Sequence, residues 1–341
     1  MKQIINKKML SAAALLLIAI VVPPVFGLTL STLSILTMAL LYMYWSSAWN
    51  IMGGYTGLFA LGNGMYIGLG AYITGCLYVF AGITPYIGIL IGAVITGLVA
   101  MLIGFPTFRL QSIFYSLATF ALVNATRVIF TNYKKIFGVE IGGSDGFKIV
   151  PQKDPANMQF AGKLPYYYIA LGLLVVILAA SYMISHSKWG FQFRAISANM
   201  GAASSLGINV TKTKLRAQFI SAFFTAVGGG FYCMFMRYID PSSIFSGSMS
   251  CNIMIMCVVG GANTLWGPPI GALMFYILQR MIVIYAPSSV SGIADLVFGA
   301  ILIFSVLMMP GGMMNYLETK KEKRIGKKLA QEAMEGGGIN Q

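Results

Sequence analysis

GGYTGLFALGNGMYIGLGAY, Gly53–Tyr72, puts seven glycines into twenty residues of a chain that is otherwise a series of apolar runs. Glycine in a helix interior costs about 1 kcal/mol relative to alanine, so the stretch reads as a helix break followed by a closely packed helix. In a membrane such a break frees backbone N–H and C=O groups, which are tolerated only where protein or a water-filled path satisfies them. The surrounding composition calls for that membrane: 57% of the 341 residues are hydrophobic and 9% are charged, whereas soluble domains are about a quarter charged.

A bilayer core of about 30 Å is crossed by roughly 20 helical residues. Ten spans are expected, at 9–28, 30–50, 64–82, 84–105, 112–130, 165–185, 215–236, 249–262, 268–286 and 291–309, the eighth short for a straight crossing. The lysine-flanked start resembles a leader peptide, but its apolar run is long enough to span and is read as a retained first helix. With the N-terminus in the cytoplasm, 15 of the 23 lysines and arginines fall inside, in 1–8, 106–111, 186–216 and the tail. Six fall outside, five of them in the 131–164 loop and the sixth Arg237. That bias obeys the positive-inside rule.

The expected fold is therefore an all-α polytopic membrane protein with short or interrupted helices and both termini cytoplasmic. It divides into an N-terminal tail 1–8, a transmembrane region 9–316 and a basic, mobile tail 317–341. The net charge of +14 belongs to these loops; no compact basic domain is present to bind nucleic acid.

A second break follows the short eighth span: Gly260-Gly261-Ala262-Asn263-Thr264-Leu265-Trp266-Gly267-Pro268-Pro269. Both breaks follow an out-to-in helix with a double glycine and a nearby threonine. Interrupted segments in corresponding halves point to a transporter's binding region. Candidate path residues are Gly53, Gly54, Thr56, Gly57 and Asn63 from the first break, and Gly260, Gly261, Asn263 and Thr264 from the second. Ser116 and Thr119 join them from a polar stripe on the fifth span. The plainer reading is packing: glycine pairs four residues apart let helices approach, and buried hydroxyls bond backbone.

Other chemistry is poorly provided for. Glutamate is absent from every expected span, and Asp295, near the outer end of the last, reads as a helix-turn residue. Four scattered cysteines and one histidine make no metal set. No GxxxxGK[ST] phosphate loop occurs, so no cofactor is expected in this chain and it is not an enzyme by itself; any ATP is bound by partner subunits.

The inner loop HSKWGFQFRAISANMGAASSLGINVTKTKLR, 186–216, is longer than a simple connection requires. Ser197 is expected to cap a short helix over Ala198–Leu206, stopped by Gly207, with Ile196, Met200, Ala203 and Leu206 on one face. It is either a helix lying on lipid or one that inserts into a groove on a partner ATPase.

Five segments carry a family resemblance: GGYTGLFALGNGMYIGLGAY (53–72), FRLQSIFYSLATFA (108–121), IGGSDGF (141–147), RAISANMGAASSLGINVTKTKLRAQFISAFFTAVGGGFY (194–232) and VVGGANTLWGPPIGA (258–272). Together they resemble the LivM-type permease subunits of branched-chain amino-acid ABC importers, over roughly 35–310. The resemblance implies a transmembrane permease in a bacterial-type inner membrane. It also implies two cytoplasmic ABC ATPase subunits, a related second permease, an extracytoplasmic solute-binding protein and surrounding lipid. It assigns the ATPase contact to Ala202–Asn209; with the capped helix, the coupling residues are Ala198, Ala202, Ala203, Leu206, Gly207, Ile208 and Asn209. Where family members often carry GYxGxxSLGH, this chain has Ala60 and Asn63 in place of serine and histidine. Urea and other small solutes are carried in the same family and are the alternative cargo. A secondary carrier or channel, or an anchoring subunit, are the rival classes.

Overall fold

The structure, a computed structural model, describes residues 29–110, 112–136, 139–140, 142–150 and 154–285, with 299 and 312–314 beyond them. The expected first span, the expected last span apart from residue 299, Asp295 and both tails lie outside the described residues. What is described is helical apart from two pairs of two-residue strands.

Helix α1 spans Leu30–Met52, with the Thr29 hydroxyl accepting from Thr32 N at 3.3 Å as its cap. Its second half is buried all round, Tyr44 to Met52 without exception, which is the behaviour of a core helix. After the first break come α2, Asn63–Ala81, α3, Pro85–Thr107, and α4, Ser112–Asn132. Pro85 opens α3 at a position where its missing N–H costs nothing. Helix α5, Leu164–His186, leads to two short helices, α6 (Lys188–Ala198) and α7 (Met200–Ser205). Helix α8 then runs from Val210 to Met236, α9 from Pro241 to Ile244, α10 from Gly247 to Gly261 and α11 from Gly267 to Tyr285.

Among the described residues, six helices are long and apolar enough to cross a membrane: 63–81, 85–107, 112–132, 164–185, 210–236 and 241–261. Helix α11 is a shorter apolar helix, and α1, although 23 residues long, is diluted by the serines, asparagine and aromatics of its second half. Two expected spans change their limits. The seventh begins at Val210, because the Asn209 side chain accepts from Lys212 N at 3.0 Å and starts the helix five residues early. The eighth gains α9, whose N-cap Asp240 accepts from Ser242 N and Ser243 N, so the apolar segment starts at Pro241.

Helix α8 packs against α1, α2 and α3, and a run of three glycines makes this possible. A Cβ built on Gly228 would lie 2.4 Å from Trp45 Nε1 in α1; on Gly229, 2.2 Å from Ile67 O in α2; on Gly230, 2.6 Å from Thr74 Oγ1 in α2 and 2.8 Å from Ile89 in α3. Trp45 Nε1 donates to Thr225 O (3.2 Å) and Tyr44 Oη to Phe224 O (2.7 Å) across the same contact. Close approach replaces the hydrophobic drive that lipid cannot supply between helices.

The two ends of the bundle are distinct. At one, Phe147–Lys148 pairs antiparallel with Tyr238–Ile239, Ile149 N donates to Arg237 O (2.9 Å) and Arg237 Nη2 to Phe160 O (3.0 Å). The long loop 131–164 and the turn after α8 thus meet on the side both are expected to share. At the other end, Gly57 abuts Ser197 of α6, and Asn50 meets Thr264. Segments expected inside are together there, as alternation of the intervening spans requires.

Candidate functional site

The first break runs from Gly53 to Gly62 and its freed backbone groups are taken up by neighbours. Gly54 N and Tyr55 N both donate to Asn50 O at 2.9 Å, and Thr56 Oγ1 donates to Met52 O. Farther along, Trp49 Nε1 donates to Ala60 O (2.6 Å), Leu61 N to Thr119 Oγ1 (3.0 Å), and Ser116 Oγ to Phe59 O. Gly57 takes φ +70°, a left-handed conformation that glycine adopts without strain. The two α4 hydroxyls therefore hold break backbone, which is why Ser116 and Thr119 stand on the face of α4 turned toward it.

The second break is a tight turn between α10 and α11. Gly261 (φ +122°) and Asn263 (φ +65°) turn the chain. Thr264 Oγ1 donates to Gly261 O (2.7 Å) and accepts from Gly267 N (3.0 Å), so it caps the start of α11. Beneath the turn the helices touch backbone to backbone: a Cβ on Gly260 would lie 2.0 Å from Gly267 O, and one on Gly271 2.2 Å from Met256 O.

One side chain joins the two breaks. Asn50, 2% exposed, donates from Nδ2 to Thr264 O (2.9 Å) and accepts from Asn263 N at Oδ1 (2.9 Å). A Cβ on Gly54 would lie 1.8 Å from that Oδ1 and 2.7 Å from Asn263 N. The breaks are thus a single assembly although 213 residues separate its hydrogen-bonded partners. Asn50 was absent from the residues expected at the site; its signal was a lone carboxamide in an apolar run, one turn before Gly54.

Asn63 opens α2 and is 1% exposed, with its Nδ2 without a hydrogen-bond partner. Beside it Gly64 N donates to Ser250 Oγ (2.7 Å) near the start of α10. The first turns of α2 and α10 therefore meet inside the bundle, joined by this buried hydrogen bond. The structure brings Gly53, Gly54, Thr56, Gly57, Asn63, Ser116, Thr119, Gly260, Gly261, Asn263 and Thr264 into one contiguous region.

The inner loop departs from expectation in its helix limits. Ser197 lies in the last turn of α6 and caps nothing; the cap of α7 is Asn199, whose Oδ1 accepts from Ala202 N at 3.0 Å. Asn199 is extended (φ −161°), so helical periodicity does not carry across it. Ile196 and Ala203 are consequently buried while Met200 and Leu206 are exposed, Leu206 by 81%. The stop at Gly207 holds: it takes φ +83°, its N–H donates to Ser204 O, and Ile208 N returns to Ala203 O at 3.1 Å. Ala198, Ala202 and Asn209 are exposed around this tip and Ile208 is half-buried.

Comparison with known proteins bears on what such an assembly is for. The family model described as "Branched-chain amino acid transport system / permease component" matches residues 31–306. The high-affinity branched-chain amino acid transport system permease protein LivM of Salmonella typhimurium is 22% identical, over 96% of this chain and 80% of its own length. LivM of Escherichia coli K12 is 23% identical, over 90% and 75%. The probable branched-chain amino acid transport permease protein LivH of Methanocaldococcus jannaschii is 26% identical, over 77% and 84%. No solved structure matches the chain.

Proposed function

The chain belongs to the branched-chain amino acid transport permease family, and from that premise we propose that it is the transmembrane subunit through which an ATP-driven importer passes branched-chain amino acids. The observation that carries the reading is the Asn50-bridged pair of helix breaks within the span matched by the family. A zwitterionic solute needs partners for a carboxylate and an ammonium, and the described spans offer it no acidic side chain. The unpaired Nδ2 of Asn63 suits the carboxylate, and the break carbonyls, each keeping a second lone pair after accepting one protein donor, suit the ammonium. Gly53–Gly57, Asn63, Gly260, Gly261, Asn263 and Thr264 form this lining, with Ser116 and Thr119 fixing its backbone.

ATP is bound and hydrolysed by two cytoplasmic partner subunits, a related second permease completes the path, and an extracytoplasmic binding protein delivers solute. Both termini are cytoplasmic in a bacterial-type inner membrane. Partner motion enters at the α7 tip, Ala198 to Asn209. From there the contact of Ser197 with Gly57 passes it to the first break, and Asn50 passes it to the second. Motion at the tip thus has a continuous packed route to the lining.

Co-purification from native membranes tests the reading. An ATPase subunit should accompany the chain, and reconstituted complex should accumulate leucine only with ATP and binding protein. Uptake by the chain alone, driven by an ion gradient, would refute it.

A further inference from the structure

Among the described residues, the end of the bundle that holds α6 and α7 carries cations without counter-ions. Arg109, Lys212 and Lys214 lie there, whereas the acids of the described residues, Glu140, Asp145, Asp154 and Asp240, belong to the segments gathered at the opposite end. Between the end of α3 and the start of α8 is a cavity of about 180 Å³ lined by Phe105, Phe108, Arg109 and Thr211. Each adjoining cation stacks on one aromatic wall: the Arg109 guanidinium lies 6.0 Å from the Phe105 ring centre, and Lys214 Nζ 5.8 Å from that of Phe108. Lys214 is only 6% exposed and forms no ion pair with a described residue. A buried ammonium in that condition favours any anion that can reach it. Thr211 is the second residue of α8, so the positive end of a 27-residue helix faces the same space.

The surroundings say which anion. Leu98, Leu102 and Phe105 recur one turn apart along α3 and are 56%, 76% and 57% exposed, an apolar track leading straight to the cavity. A soluble anion has use for the cations alone; a phospholipid has use for both.

We propose that this cavity seats the headgroup phosphate of an anionic phospholipid, held by Arg109 and the start of α8, with the charge of Lys214 behind the Phe108 wall and an acyl chain along Phe105, Leu102 and Leu98. With the orientation proposed above, the lipid lies in the cytoplasmic leaflet; the rest of the proposal does not depend on that orientation. Charge complementarity selects the lipid class, because a zwitterionic headgroup would bring a second cation into a space already lined by them. Such a lipid would brace the inner ends of α3 and α8 beside the loop that bears α7.

The full-length protein, purified in mild detergent, is examined by native mass spectrometry with phosphatidylglycerol and phosphatidylcholine of matched chains. Wild type should retain phosphatidylglycerol preferentially, and Arg109→Gln should weaken retention about fivefold, as expected for loss of one cation at a lipid surface. Arg109→Lys should keep most of it. Thr211→Asp, a substitution that the second position of a helix tolerates well, should abolish the preference without unfolding the protein. Leu102→Ser should weaken phosphatidylglycerol binding, and excess glycerol phosphate should not displace the lipid. Retention unchanged in both Arg109→Gln and Thr211→Asp would overturn the proposal. So would displacement by glycerol phosphate, or a disulfide formed under an added oxidant between Arg109→Cys and a cysteine put in place of an acidic residue of a co-purified subunit. Because lipid retention is read without transport, failure here leaves the transport reading standing, and the reverse also holds.

Discussion

Asn50 shows how much a single buried carboxamide can organise. Its Oδ1 and Nδ2 satisfy one N–H and one C=O of the turn at the second break. Asn50→Leu removes both hydrogen bonds at a part-buried contact, a loss of about 0.5–1.5 kcal/mol for each. Lower thermal stability of the purified protein and loss of uptake, with membrane insertion retained, are the expected results; wild-type uptake would show that the bridge is dispensable. Asn50→Asp keeps the acceptor for Asn263 N–H but not the donor to Thr264 O, and should fall between the two. Gly54→Ala tests the same contact from the other side, since its methyl would overlap Asn50 Oδ1; uptake should fall by at least tenfold. The glycines were legible in the sequence because their cost in a helix demands a reason. Asn50 was visible only as an oddity, since its partners lie across the chain and no local pattern announces them.

At the scale of elements, the inner loop is two helices hinged at Asn199 rather than one helix begun at Ser197. Serine and asparagine are both good caps, and local sequence does not choose between them. The choice follows from α6, which buries Gly190, Phe193 and Ile196 and so stays helical through Ala198. The stop was plain, because only glycine takes Gly207's backbone conformation without strain. Gly207→Pro would fix φ near −65°, far from +83°, and remove the N–H that bonds Ser204 O. ATP hydrolysis by the assembled complex should persist while uptake falls severalfold. Unchanged coupling in reconstituted vesicles would remove α7 from the relay.

The whole molecule has two differently built ends, and the alternation of apolar runs made that division legible before any contact was known. Hidden from the sequence was the latch between 147–148 and 238–239, whose two-residue strands are too short to leave a pattern. Exposed Val150 and Leu206 mark opposite ends. After replacement of the half-buried Cys76 and Cys251, Val150→Cys should react with an impermeant maleimide in intact cells, and Leu206→Cys only after permeabilisation. Labelling of both from one side would overturn the orientation. The three glycines of α8 have a consequence for genetics. Alanine at Gly228 or Gly230 collides with side chains alone, Trp45 and Tyr44 or Thr74 and Ile89, and smaller residues at those positions should restore function as second-site suppressors. Alanine at Gly229 collides with the Ile67 carbonyl, which no codon change can shorten, so a revertant screen started from that position should return glycine alone.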